Sequence, residues 1–123
     1  MSPHLRLIRT SALTVLACVA LATLAAAESG AASCTPPKYP GSGYFTGKIR
    51  TTNISCSYAK RFVVAYYKCR IRNGGADGRC RTRVMDFRCR ETRTSIPGVE
   101  IDGRVTCNRG SQRIVHTYQH NIE

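Results

Sequence analysis

The sequence is short of acid. Only seven of its 123 residues are Asp or Glu, against 19 Lys and Arg, for a formal charge of +12. The acids are Glu28, Asp77, Asp86, Glu91, Glu100, Asp102 and Glu123. A glycosidase needs two carboxylates flanking one bond. The nearest candidates, Glu100 and Asp102, share an outward strand face with Arg88 and Arg90 as expected neighbours, so cross-strand ion pairing accounts for them. A calcium loop needs several carboxylates, and the turn-rich stretch at 73–78 offers only Asp77. There is no Cys-x-x-Cys pair or Cys-His cluster for zinc. Nor is there a Gly-x-Ser-x-Gly elbow for a serine nucleophile. Gly41-Ser42-Gly43 lacks the strand–turn–helix context of a phosphate cradle, and no internal repeat is present. No catalytic residue, cofactor or metal is therefore expected.

Long apolar runs are also missing, with one exception. After a start carrying Arg6 and Arg9, residues 12–27 are apolar except for Thr14, Cys18 and Thr23, and they end in Ala25-Ala26-Ala27. A basic start, a short apolar run and a small-residue cleavage site make a secretory signal peptide, assigned to 1–27. The run is too short for a membrane span, which takes about 20 apolar residues. Val15-Leu16-Ala17-Cys18 and Ala31-Ala32-Ser33-Cys34 loosely resemble lipidation boxes, but one lies inside the apolar run and the other beyond it. Cleavage after Ala27 removes Arg6 and Arg9, leaving 17 basic residues against all seven acids, a net of +10. The mature chain is expected to be a secreted monomer, free or associated with the cell wall, with no membrane span.

Cys18 leaves with the signal. Six cysteines remain: Cys34, Cys56, Cys69, Cys80, Cys89 and Cys107. An even number in a short exported chain reads as a three-disulfide framework.

Residues 28–43 are rich in Ser, Gly and Pro and read as a flexible N-terminal arm ahead of a small domain at 44–123. Residues 44–53 alternate imperfectly and predict a first strand. Ser55 stands at a helix N-cap. Residues 56–70 follow without Gly or Pro, and Cys56, Ala59, Phe62, Val63, Tyr66 and Cys69 fall on one helical stripe. Residues 82–90 alternate with Met85, Phe87 and Cys89 on one side. Residues 99–108 alternate with Val99, Ile101, Val105 and Cys107 inward. A turn at 108–111 returns the chain into a last strand at 112–119. The expectation is an α+β fold, one helix packed on a small, mainly antiparallel sheet of about four strands. Cys56 and Cys69 would lie about 20 Å apart on the helix and could not pair. Alternating the strand directions brings Cys69 to Cys80, Cys56 to Cys89 and Cys34 to Cys107.

Ser55-Cys56-x-x-Ala59, Phe87-Arg88-Cys89, Val105-Thr106-Cys107-x-x-Gly110 and Val115-His116-Thr117-Tyr118-Gln119 resemble segments of a group of small secreted cysteine-rich actinobacterial proteins, over about 34–121. The resemblance implies secretion and the cysteine framework. It carries over no activity.

Three functional classes follow. The basic surface favours a non-catalytic module binding an anionic wall polymer, nucleic acid or a protein at the cell surface. The arginines crowding 79–93, namely Arg79, Arg81, Arg83, Arg88, Arg90 and Arg93, are the candidate binding residues. Rigid disulfide-bonded loops would also suit an inhibitor of a protease or lysozyme. A small secreted ribonuclease would need His116, with Glu100 and arginines, as its acid, base and phosphate holders.

Overall fold

The structure is a computed structural model and describes residues 30–122; the expected signal peptide lies outside them. One helix packs on one antiparallel sheet. The elements run β1 (Ala31–Cys34), β2 (Gly43–Phe45), β3 (Ile49–Thr52), α1 (Cys56–Arg72), β4 (Arg88–Ile96), β5 (Glu100–Arg109) and β6 (Gln112–Asn121), with a single 3-10 turn at Gly75–Asp77. The sheet order is β1-β3-β6-β5-β4, with β2 also pairing β6. The α+β architecture and three disulfides are as expected, but the strands number six rather than about four.

The helix forms for the reasons its sequence states. The Ser55 hydroxyl accepts a hydrogen bond from the Tyr58 amide at 3.2 Å, satisfying one of the free donors at the helix start. Ala59, Phe62, Val63, Tyr66 and Cys69 are buried, one stripe as the spacing predicts. They meet Ile49, Ile101, Val105, Cys107, Ile114 and Tyr118 from the sheet in one hydrophobic core. Phe62 meets Phe87 edge-on, ring centroids 5.0 Å apart.

Two departures add the extra strands. The supposed arm is partly sheet: β1 pairs β3, with Cys34 opposite Ile49, and Tyr39 is buried against Phe45 and Tyr67. Its short, small residues carry no alternation to announce it. The expected first strand is two, because Phe45 pairs Tyr118 and Arg50 pairs Val115, so four residues (46–49) span the gap that two (116–117) span on β6. That bulge separates β2 from β3.

The expected strand at 82–90 is instead a tight turn followed by β4. Val84 and Phe87 exchange backbone hydrogen bonds of 3.1 and 2.8 Å, and between them Met85 and Asp86 take φ of 47° and 67°. Positive φ at both central residues matches the twist of a two-residue hairpin turn. Val84 is consequently buried and Met85 exposed, while Phe87 and Cys89 point inward as expected. Val99, at the β4–β5 turn, is exposed rather than inward.

This shift also corrects the disulfides. Cys69–Cys80 is as expected, but the other bonds are Cys34–Cys56 and Cys89–Cys107. Cys89 opens its strand rather than closing it, so it lies directly opposite Cys107 on β5. Strand β1, which no alternation announces, carries Cys34 to the start of α1.

Candidate functional site

Register fixes what each face of the sheet carries, because paired residues share a face. On the face turned away from α1, Arg88 lies beside Asn108, then Arg113, then Thr52. The next row holds Arg90, Thr106, Val115, Arg50 and Ser33. A third holds Thr92, Arg104 and Thr117. Only beyond these do acids appear: Asp102 lies between Thr94 and Gln119, and Glu100 between Ile96 and Asn121. Glu100 and Asp102 therefore do not face Arg88 and Arg90, and the expected cross-strand ion pairs do not form.

Arg50, Arg88, Arg90, Arg104 and Arg113 are all exposed, and among the described residues none has an acidic partner. Every one of them sits opposite a neutral residue. Residues two apart on a strand lie about 7 Å apart, and neighbouring strands about 4.8 Å. The guanidiniums are thus anchored in a staggered array roughly 7–14 Å apart. A hollow of about 650 Å³ opens between Arg88, Arg90, Thr106, Asn108 and Arg113. A second, of about 290 Å³, lies between Lys48, Arg50, Arg104 and Thr117.

The candidate arginines of the sequence divide. Arg88 and Arg90 belong to this face. Arg81 and Arg83 meet Arg88 around a hollow of about 350 Å³ at the start of β4. Arg79 is half exposed, 3.8 Å from Glu91. Arg93 does not join this face: it points to the helix side and is bonded there. Its Nε donates to Glu91 Oε2 at 2.6 Å, and its terminal nitrogens donate to the carbonyls of Asp77 and Gly78. Sequence reasoning missed Arg50, Arg104 and Arg113. Alternation on their strands points them outward, but only the register shows that they converge.

The helix side of the sheet holds a buried polar cluster. Tyr118 and Tyr66 donate to Glu91 Oε1 at 2.5 and 3.3 Å. Arg70, fully buried, lies with Nε 3.9 Å from the same oxygen and its guanidinium carbon 4.1 Å from the Tyr118 ring centroid. It also donates to the Tyr39 hydroxyl and the Ala76 carbonyl. Tyr39 in turn is 2.9 Å from His120 Nδ1. Burial raises the phenol pKa values of Tyr39, Tyr66 and Tyr118, and the Glu91 carboxylate adds to the rise in all three.

His116 faces this interior too, stacked edge-on against Tyr66. Burial, with the Arg70 charge second, pushes its pKa down to about 3. It stays neutral near pH 7 and is buried; the register points its side chain to the face opposite Arg88, Arg90, Arg104 and Arg113, while the residue itself borders the hollow beside Arg50 and Arg104. The acid–base set imagined for a ribonuclease is not brought together. Among the described residues no cluster of His, Cys, Asp or Glu could hold a metal. No helix there is long and apolar enough to cross a membrane.

Comparison with family models, curated proteins and solved structures gives no match.

Proposed function

We propose that the protein is a secreted, non-catalytic module that binds an anionic polymer at the cell surface through the outward face of its sheet. One observation carries the reading: five exposed arginines, spread over four adjacent strands, have no acid within ion-pairing distance among the described residues. A guanidinium offers a planar fork that matches phosphate and carboxylate oxygens. The threonines between the arginines add hydroxyl donors for the same oxygens. The three rows bearing arginine carry no aromatic side chain, so base stacking, on which single-stranded nucleic-acid binders rely, has no platform there. A phosphate-bearing backbone suits the face better than bases do. Three disulfides in a small domain fit an oxidising location outside the cell.

The test is titration with long-chain inorganic polyphosphate by calorimetry. About five phosphate contacts imply roughly a hundredfold weaker binding at 200 mM than at 50 mM salt. The triple variant R90Q/R104Q/R113Q removes three contacts and should lower the log–log salt slope by about 2. A variant that binds as the wild type does, or binding indifferent to salt, refutes the assignment.

A further inference from the structure

We propose that the solvent face of α1 is a second anion-binding surface, so that one molecule bridges two segments of the same kind of polymer. The inference rests on the sheet reading above and extends it. The fold is two layers: α1 covers one face of the sheet, and the arginine array lies on the other. The exposed side of α1 therefore looks away from the array.

That side carries Lys60, Arg61 and Lys68, all exposed, around a hollow of about 450 Å³ floored by Val64, Ala65 and Pro37. The helix contains no acid in its 17 residues. Surface helices ordinarily set Glu against Lys at four-residue spacing, and an acid in the first turn favours the helix dipole. Here Lys60, Val64 and Lys68 follow that spacing with no opposite charge, and the first turn has no acid. Among the described residues none of the three cations has an ion-pair partner. Helix stability does not call for this strip, whereas an anionic ligand does. The floor consists of small, half-buried residues, with no bulky exposed side chain to enter a bilayer. A polymer strand fits it better than a lipid surface. Two such faces on opposite sides of one rigid body make the protein a cross-link.

The experiment compares two variants of equal net charge, K60Q/R61Q/K68Q on the helix and R90Q/R104Q/R113Q on the sheet. Tripolyphosphate is the short probe, measured by calorimetry, and long-chain polyphosphate the long one, measured by light scattering. The wild type should bind both and scatter with the long chain. The helix variant should keep its tightest tripolyphosphate affinity within about twofold yet lose roughly tenfold in scattering. Scattering equal to wild type overturns the proposal. So does a loss of tripolyphosphate binding as large as the sheet variant's, which would mean charge alone matters. A wild type that binds tripolyphosphate but never scatters overturns bridging and leaves the sheet reading standing; one that binds neither overturns both. Helix-dependent binding to phosphatidylglycerol vesicles without polyphosphate scattering would give the face to lipid and sink the inference.

Discussion

Glu91→Gln tests the buried charge cluster most directly. Every ion pair found among the described residues runs through this one carboxylate, whose side chain is 6 % exposed. Its main partners are as hidden: Arg93 is 6 % and Arg70 1 % exposed. Glutamine has nearly the same shape and retains an oxygen for Tyr118 and Tyr66, so packing changes little. What disappears is the negative charge between two guanidiniums largely shut off from water. Arg70 Nε already lacks a hydrogen-bond partner, so its link to Glu91 is Coulombic; the terminal nitrogens keep the Tyr39 hydroxyl and the Ala76 carbonyl, but neither of these partners carries a charge. Removing one member of a buried ion pair costs about 3–5 kcal/mol. The retained oxygen puts this substitution near the lower end, about 3 kcal/mol. For a domain of this size that corresponds to a fall in Tm of about 15 °C.

Urea and thermal unfolding followed by circular dichroism, with disulfides intact, would measure it. Adding Arg93→Gln to Glu91→Gln should cost less than the two single effects combined, because the second change removes the cation that the first left unpaired. A loss below about 1 kcal/mol, or strict additivity, would refute the view that Glu91 is what makes the interior tolerate two arginines.

His116 gives a pH prediction. The unfolded histidine takes up a proton below its ordinary pKa of 6.5, while the buried one resists until about 3. Between those values the unfolded state binds the extra proton, so stability falls as pH falls, by up to about 1.4 kcal/mol per pH unit. His116→Phe should flatten the slope of unfolding free energy against pH by about one proton; His120, also lowered by burial, keeps the slope from vanishing. Gly103→Ala would place a methyl group about 2.3 Å from the Tyr118 ring, which must swing away from Glu91; unfolding should show a loss of about 1–3 kcal/mol or more. Cys34→Ala with Cys56→Ala opens a 22-residue loop and frees β1, for an expected loss of about 3 kcal/mol. Non-reducing peptide mapping of the wild type should join Cys34 to Cys56, and Cys34 found with Cys107 would contradict the fold.

The sequence made α1 legible because Ser55 caps it and its apolar stripe is unbroken. The β5–β6 hairpin was legible because two alternating runs flank Gly110, whose φ of 56° suits the turn. Hidden features had weaker local signals. Met85 and Asp86 occupy a conformation usually left to Gly or Asn, so residue type gives no sign of the turn before β4. Once β4 starts at Arg88 and runs to Ile96, its alternation carries Arg93 to the inside with Glu91, the opposite of its expected role. The site was half readable for the same reason. Arg88 and Arg90 stand out as a cluster in the chain, but Arg104 and Arg113 join them only through the registers of two successive hairpins, and Arg50 only through its pairing with Val115, 65 residues away, none of which a local pattern encodes.

Arginine abundance can arise without function, and the placement of these residues bears on that. Like charges directly opposite each other on adjacent strands destabilise a sheet, and opposite charges stabilise it. An outward face shaped only for stability would set Arg88 or Arg90 against Glu100 or Asp102. Instead the acids are gathered at the far end, beyond Thr92 and beside Thr94 and Ile96, and each arginine is flanked by Asn, Thr, Ser or Val. Direct repulsion is avoided, yet no charge is neutralised. Inside, by contrast, Arg70 and Arg93 are compensated by Glu91. The molecule neutralises arginine where water is excluded and leaves it unneutralised on the open face, with positive rows at one end and acids at the other. A polyanion laid on that face would settle over the arginine rows and be repelled from the Glu100 and Asp102 end.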